Sequence, residues 1–164
     1  NIFSLNTIRD HANRKGIELK GQSEGTLNII RENRIFRNET GITLIQVVQS
    51  RITENTISDN TFGIKLLRNV NNTQLGSNIV ERNETGIYFG LTDTETDASH
   101  EFASQGGPII PPQSTAIDDG EVCRNALFDF SCYAQNGVSV SGAKGDTVGA
   151  CSVDPQWELN LIDC

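Results

Sequence analysis

The sequence lacks the features that mark several common classes of protein. Its 164 residues contain no run of 18 apolar residues, so we expect no membrane-spanning helix. Methionine is absent and aromatic residues make up only 6% of the chain, whereas glycine occurs fifteen times. This composition favours β-coils joined by bends over a helical bundle. The absence of an initiating methionine and a signal peptide leads us to expect a processed or trimmed protein.

Basic residues are scarce in the second half of the chain. Through Leu91, eleven Lys and Arg stand against nine Asp and Glu; from Thr92 onward, two stand against twelve. The net charge of −8 argues against nucleic acid or an anionic membrane as the main partner. The two halves of the chain therefore differ in charge, the first being slightly basic and the second strongly acidic.

Cysteine is absent from the first 122 residues, and all four cysteines follow: Cys123, Cys132, Cys151 and Cys164. An even number predicts two disulfides and an oxidising compartment, either extracellular or periplasmic. Of the three possible connectivities we favour Cys123–Cys132 with Cys151–Cys164, because neighbours close the shortest loops. Zinc is the alternative, but the sequence has no Cys-x-x-Cys and no histidine near these residues.

The abundant feature is a fifteen-residue pattern that occurs three times, over residues 30–44, 52–66 and 75–89. Its glycines, Gly41, Gly63 and Gly86, are 22 and 23 residues apart, and Gly16 begins a weaker fourth copy. The Gly-Ile-x-Leu and Asn-x-Ile segments have period two and are too short for helices, so each predicts a short strand. We expect glycine to supply a positive φ at the strand entrance.

One such coil cannot bury its apolar side alone, so the coils must stack. Stacking predicts vertical files of side chains: Ile17, Ile42, Ile64 and Ile87; Leu19, Leu44, Leu66 and Phe89; and a bend ladder of Asn13, Asn38, Asn60 and Asn83. His11 is either a ladder substitute or an exposed bend residue.

The motif Asn-x-Ile-x-x-Asn-x-x-Gly-Ile-x-Leu resembles the repeat of the right-handed parallel β-helix family, over residues 5–91. That repeat occurs in pectin-lyase-like and alginate-epimerase-like proteins and in periplasmic carbohydrate-binding or sugar-hydrolase domains. The resemblance implies an all-β, right-handed parallel β-helix of about four coils. We expect coils over residues 1–91, an acidic Gly/Pro-rich excursion over 92–113, and a disulfide-bonded C-terminal cap over 114–164 with room for a further coil.

A second metal candidate, after zinc at the cysteines, is calcium. Asp93, Glu95 and Asp97 resemble a calcium loop, but the sixth place holds Ala98 and the twelfth holds Ser104, so the EF-hand pattern fails. A weaker surface Ca²⁺ site is conceivable, and no other cofactor is expected.

Members of the resembled family bind ligands along a groove on one parallel sheet. The outward position of Gly-Ile-x-Leu is held here by Glu18, Thr43, Lys65 and Tyr88. Lys65 and Tyr88 could neutralise a uronate carboxylate and transfer a proton, which a polysaccharide lyase or epimerase requires. A second outward column, Arg37, Asp59 and Arg82, would either pair internally or bind an acidic sugar.

Each column could equally be an ordinary solvated β-face with cross-strand charge pairs. The catalytic Asp-Pro-His motif of the epimerases does not occur, since Asp154-Pro155 is followed by Gln156. The calcium-binding carboxylate cluster with Arg that the resemblance to pectate lyases would require is also missing. The sequence therefore predicts a module that binds or processes an acidic polysaccharide, or a non-catalytic assembly subunit whose open N-terminal end docks another chain.

Overall fold

The computed structural model describes residues 1–21, 26–90, 113–132, 136–145, 159–162 and 164, which form an all-β parallel solenoid. This confirms the predicted fold class. The strands are β1 (Ile2–Ser4), β2 (Thr7–Arg9), β3 (Lys15–Lys20), β4 (Asn28–Arg31), β5 (Arg34–Phe36), β6 (Thr40–Ile45), β7 (Val48–Thr53), β8 (Thr56–Ser58), β9 (Phe62–Leu66), β10 (Asn71–Gly76), β11 (Ile79–Glu81), β12 (Thr85–Phe89), β13 (Gln113–Asp118), β14 (Glu121–Cys123), β15 (Phe128–Cys132), β16 (Asn136–Lys144) and β17 (Leu159–Ile162).

Three strands make one coil, and equivalent strands of successive coils pair in parallel. One sheet has the order β15-β12-β9-β6-β3. The other, of twelve strands, has the order β1-β4-β7-β10-β13-β16-β14-β11-β8-β5-β2, with β17 beside β16. Strands β13 to β15 continue the stack beyond β12. The predicted domain boundaries at residues 91 and 113 stay predictions, because the expected excursion and its carboxylates Asp93, Glu95 and Asp97 lie outside the described residues.

The predicted apolar files are confirmed by the strand register. Ile17 pairs with Ile42, Ile42 with Ile64 and Ile64 with Ile87. Ile42, Ile64 and Ile87 are at most 1% exposed. Two further files of buried side chains, both on strands of the twelve-stranded sheet, complete the core. They are Ile30, Ile52, Leu75 and Ile117; and Ile35, Ile57, Val80 and Val122. Each fully buried Leu or Ile contributes about 1.5–3 kcal/mol of transfer free energy, so stacking stabilises the coil.

Glycine at the strand entrance is required by close packing. The predicted positive φ is wrong, since Gly21 is the one glycine with positive φ in the described part of the chain. A Cβ on Gly63 would lie 2.5 Å from the carbonyl oxygen of Gly86 and 2.6 Å from Val80 Cγ1. Gly41 meets the same two obstacles, a backbone oxygen at 2.6 Å and a β-branched side chain at 2.7 Å. No side chain fits between these coils.

Positive φ falls instead on polar residues at the bends. Arg37, Asp59 and Arg82, each directly before a ladder asparagine, have φ of 55°, 57° and 54°. The left-handed conformation turns the chain there, at a cost that the surrounding hydrogen bonds offset.

Buried asparagines join successive coils in a ladder. Asn38 Nδ2 donates to Asn60 Oδ1 at 3.2 Å, and Asn60 Nδ2 donates to Asn83 Oδ1 at 3.0 Å. Each rung's backbone N–H donates to the same oxygen. The predicted place of Asn13 in this ladder is wrong: the His11 backbone N–H occupies it, donating to Asn38 Oδ1 at 3.2 Å. A second ladder of the same kind contains Asn6, Asn33, Asn55 and Asn78.

The first ladder ends on a carboxylate. Asn83 Nδ2 donates to Asn125 Oδ1 at 3.1 Å, and Asn125 Nδ2 donates to Asp129 Oδ1 at 2.9 Å. Asp129 is 2% exposed.

A disulfide joins Cys123 on β14 to Cys164, across 41 residues of sequence with a Cα–Cα distance of 6.0 Å. A cysteine forms one disulfide, so the predicted pairs Cys123–Cys132 and Cys151–Cys164 are both wrong. The shortest-loop argument failed because stacking brings residues that are distant in sequence into contact. No helix in the described ranges is long and apolar enough to cross a membrane.

Candidate functional site

The column predicted from Gly-Ile-x-Leu exists, but it is not an open face. Glu18 pairs with Thr43, Thr43 with Lys65 and Lys65 with Tyr88. Glu18 is exposed, whereas Thr43, Lys65 and Tyr88 are only 0%, 2% and 3% exposed. Three of the column's four positions are therefore buried and do not face solvent.

Apolar and aromatic side chains lie around Lys65 and Tyr88. Ile45, Leu67 and Tyr88 form a small hydrophobic cluster with Phe62 packed against it. Lys65 Nζ lies 3.8 Å from the centre of the Phe62 ring, a cation–π contact, and the Phe62 and Tyr88 rings meet edge to face at 5.6 Å. Ligand-binding and catalytic roles for Lys65 and Tyr88 stay predictions.

The second predicted column, Arg37, Asp59 and Arg82, lies at the bends directly after β5, β8 and β11, next to the exposed face of these strands. On β5 the inward Ile35 is fully buried, so Arg34 and Phe36 on either side point outward. The register places Thr56 between Arg34 and Ile79, and Ser58 between Phe36 and Glu81.

Small side chains on β8 create a depression between larger ones. Thr56 and Ser58 form its floor, and the strands on either side are about 9.6 Å apart, twice the strand spacing. The cavity has a volume of about 530 Å³. We call it the arginine groove; its lining is Arg34, Phe36, Arg37, Thr56, Ser58, Asp59, Glu81 and Arg82.

Two of the three arginines are held by carboxylates from neighbouring coils. Arg82 Nε and Nη2 lie 3.0 and 3.1 Å from the two Asp59 oxygens, a bidentate pair, and Arg82 also contacts Glu81. Arg37 Nε lies 2.7 Å from Asp10 Oδ1, and its Nη2 donates to Oδ2 at 3.2 Å. One pair thus forms within the predicted column, between Arg82 and Asp59, whereas Arg37 pairs with Asp10 outside it.

The same pairing changes the ionisation of the groove. The hydrogen bonds from Arg82 lower the pKa of Asp59, against a smaller opposing effect of burial. The hydrogen bonds to Asp59 and Glu81 raise the pKa of Arg82. Both groups are therefore charged at neutral pH, and their charges largely cancel.

An aromatic ring and two guanidinium groups form one side of the groove. Arg37 Cζ lies 5.0 Å and Arg34 Cζ 5.8 Å from the centre of the Phe36 ring. Arg34 makes no ion pair with any of the described residues. The groove thus combines an apolar ring, hydroxyls, carboxylates and a guanidinium, the groups that bind a charged sugar.

Comparison with known proteins places this fold in a family. The NosD family, described as a periplasmic copper-binding protein, matches residues 1–100. The chain belongs to the NosD family. No curated protein matches the sequence. The family is periplasmic, which confirms the predicted location.

Solved structures of the periplasmic alginate epimerase AlgG share the fold of this NosD-family chain. A double mutant of AlgG superposes with a TM-score of 0.67 at 21% identity, covering 90% of this chain and 33% of AlgG. A single mutant and the unmodified enzyme give 0.66 and 0.65, at 19% and 20% identity, covering 90% of this chain and 39% of each. The chain thus spans little more than a third of the AlgG structures.

The described residues of this NosD-family chain do not fit a copper site. Copper is held by imidazole, thiolate or thioether ligands. Across the described ranges, no three His, Cys, Asp or Glu side chains lie close enough to hold a metal. The whole sequence contains no methionine, and Cys123 is in a disulfide.

Sequence reasoning found one edge of the groove and missed the rest. Arg37, Asp59 and Arg82 were predicted, but Arg34, Phe36, Thr56, Ser58 and Glu81 were not. The signal was present, because these residues flank the buried Ile35, Ile57 and Val80 in the same repeat. Period-two alternation around those positions marks an outward face.

Proposed function

We propose that this periplasmic β-helix protein binds an acidic polysaccharide in the arginine groove. The single observation that carries the proposal is the depression over Thr56 and Ser58, flanked on one side by Phe36 and two arginines. A sugar ring seated there would place its C–H face near Phe36 and its hydroxyls near Glu81.

The exposed location of the groove supports this proposal over the column of Lys65 and Tyr88. A chain-like ligand needs an open surface, and the side chains of Arg37 and Arg82 are 53% and 52% exposed. AlgG, whose fold this chain shares, is an alginate epimerase. An alginate-like uronate polymer is therefore the ligand class we propose, and a lyase or epimerase activity stays a prediction that rests on Lys65 and Tyr88.

Filling the groove tests the proposal directly. Thr56→Phe should fill the floor and weaken calorimetric binding of alginate and galacturonate oligosaccharides by at least about tenfold, a loss of about 1.4 kcal/mol. Thr53→Phe is the matched control, because Thr53 is equally half-buried but lies on β7, outside the groove. Absence of uronate binding by the wild type, or equal binding by Thr56→Phe, would refute the proposal.

A second candidate function, docking of another chain at the N-terminal coil, is favoured by a separate observation. Ile2 and Leu5 are 65% and 76% exposed, and Phe3 and Leu27 are 37% and 42% exposed. Apolar side chains on an end coil favour association with another coil. Light scattering tests it: self-association that Leu5→Asp abolishes supports docking of a second copy, and a wild-type monomer at all concentrations opposes it.

A further inference from the structure

We infer that Arg34 is the residue that recognises the carboxylate of one uronate unit in the arginine groove, and that Arg37 and Arg82 position the groove. This inference rests on the proposed function and names the group that determines its specificity. It follows from how the charges of the three arginines are distributed.

The strand register separates Arg34 from the carboxylates. Its neighbours across the sheet are Thr7 on β2 and Thr56 on β8, both uncharged. Arg37, three residues later in the same coil, is held by Asp10 of the preceding coil.

Arg82, the third arginine of the groove, is also paired with protein carboxylates. The guanidinium of Arg82 takes both oxygens of Asp59 and also contacts Glu81. A ligand carboxylate at Arg37 or Arg82 would have to displace a protein carboxylate that is already well placed, so little net affinity would be gained.

The guanidinium of Arg34 lies beside an apolar ring instead. Arg34 Cζ lies 5.8 Å from the centre of the Phe36 ring, and the guanidinium forms no ion pair with a carboxylate of the described residues. Five donors in a planar fork suit bidentate binding of a carboxylate. The same ring would pack against the sugar that carries that carboxylate.

Among the described residues, Arg34 is the one arginine of the groove that is not paired with a carboxylate, and this has a consequence for specificity. The groove therefore binds a single carboxylate and not a row of negative charges. Whether the sugar unit over Thr56 and Ser58 carries a charge should then decide how tightly the polysaccharide binds. A uronate unit whose carboxyl is reduced to an alcohol should lose this contact while keeping its ring and hydroxyl contacts.

The experiment compares a uronate trisaccharide with its carboxyl-reduced, neutral counterpart by calorimetry. Arg34→Gln should weaken binding of the acidic ligand by about tenfold to hundredfold, as expected for losing a charge-assisted hydrogen bond, and change binding of the neutral one by less than about twofold. Arg34→Lys should restore part of the affinity, because it keeps the charge without the fork. Arg51→Gln removes the same charge from an exposed position on β7 and should change neither ligand.

Each result supports or overturns the inference. Equal weakening of both ligands by Arg34→Gln would overturn it, because Arg34 would then act only by packing on Phe36. Unchanged acidic binding in Arg34→Gln, with loss in Arg37→Gln or Arg82→Gln, would overturn it and leave the proposed function standing. A wild type that binds neither trisaccharide would overturn both together.

Discussion

Glycine and asparagine hold neighbouring coils together by different physical means. Glycine removes the side chain that would collide, as at Gly63, where a carbonyl oxygen and Val80 crowd the missing Cβ. Asparagine supplies two donors and an acceptor, and the buried Asn60 uses both kinds. Both types were found from their spacing, but only the structure distinguishes collision from turn geometry as the reason for glycine.

Gly63→Ala is expected to destabilise the protein by roughly 1–3 kcal/mol, because a backbone oxygen 2.5 Å from the new Cβ cannot move aside cheaply. Urea unfolding measures the change. Gly76→Ala is the control, since its Cβ would meet nothing nearer than Thr53 Cγ2 at 3.6 Å, and it should be nearly neutral. Equal effects of the two would refute the packing explanation.

Asn60→Ala should cost about 1–3 kcal/mol, because it leaves the buried Asn38 backbone N–H without its acceptor and removes the side-chain hydrogen bonds from Asn38 Nδ2 and to Asn83 Oδ1. The exposed Asn13 lies outside the ladder, so Asn13→Ala should be close to neutral in the same unfolding assay. A large loss of stability in Asn13→Ala would instead support the place in the ladder that the sequence predicted for Asn13.

The lowered pKa of Asp59 predicts a pH dependence of stability. The folded protein binds the Asp59 proton more weakly than the unfolded chain, so its contribution is present above the ordinary Asp pKa of about 3.9 and lost as the pH falls through the lower folded pKa. Because the pair is about half exposed, Asp59→Asn should cost at most about 1 kcal/mol at pH 7. Chemical unfolding at pH 7 and below pH 3 should show the difference between variant and wild type shrinking on acidification; a constant difference would contradict it.

At the scale of strands, two outward faces of the same repeat have opposite environments. The face of β6, β9 and β12 buries Lys65 and Tyr88, whereas the face of β5, β8 and β11 exposes Arg34, and Arg37 is exposed at the bend that follows β5. Period-two alternation in the sequence separates inward from outward residues, and it did so correctly here. It carries no information on whether an outward face is covered, because that depends on contacts between segments far apart in the chain.

The disulfide between β14 and Cys164 gives a prediction at this scale. Digestion of the unreduced protein with trypsin and a glutamate-specific protease cuts after Glu121, Arg124 and Glu158. The structure predicts that the fragment with Cys123 is joined to the one with Cys164. Mass spectrometry before and after reduction identifies the pair.

Linkage of the Cys123 fragment to the one with Cys132 would instead support the shortest-loop pairing. Cys164→Ser should lower the free energy of unfolding by about 2–4 kcal/mol under oxidising conditions, because the unfolded chain loses a cross-link across 41 residues. Wild type measured with reductant is the comparison.

For the whole molecule, stacked coils predict stability that varies along the axis. Strands β1, β2 and β3 stand at the ends of their stacks and pair on one side only, whereas β6 and β9 pair on both. Each coil contacts mainly its neighbours, so opening should begin at an end. Amides of β1 and β2 should exchange with deuterium faster than those of β6 and β9 by mass spectrometry; uniform exchange would indicate a single cooperative unit.

The overall architecture was predictable because the repeat encodes it locally. Spacing alone placed Ile42, Ile64 and Ile87 in one file, and the register confirms them. The arginine groove was only partly predictable, since Arg37 and Arg82 were recognised by charge whereas Phe36 was overlooked. Contacts between segments far apart in the chain could not be predicted from the repeat, and these include the Cys123–Cys164 bond and the burial of Lys65.

The asparagine ladder also has a direction. Every rung donates to the asparagine oxygen on its C-terminal side and accepts on its own oxygen from the N-terminal side, while its amide also donates to a backbone carbonyl of the preceding coil. Asp129 accepts from the Asn125 amide, and its carboxyl group has no N–H to pass to a further rung. Replacing this acid by an amide would supply the donor that one more asparagine rung needs.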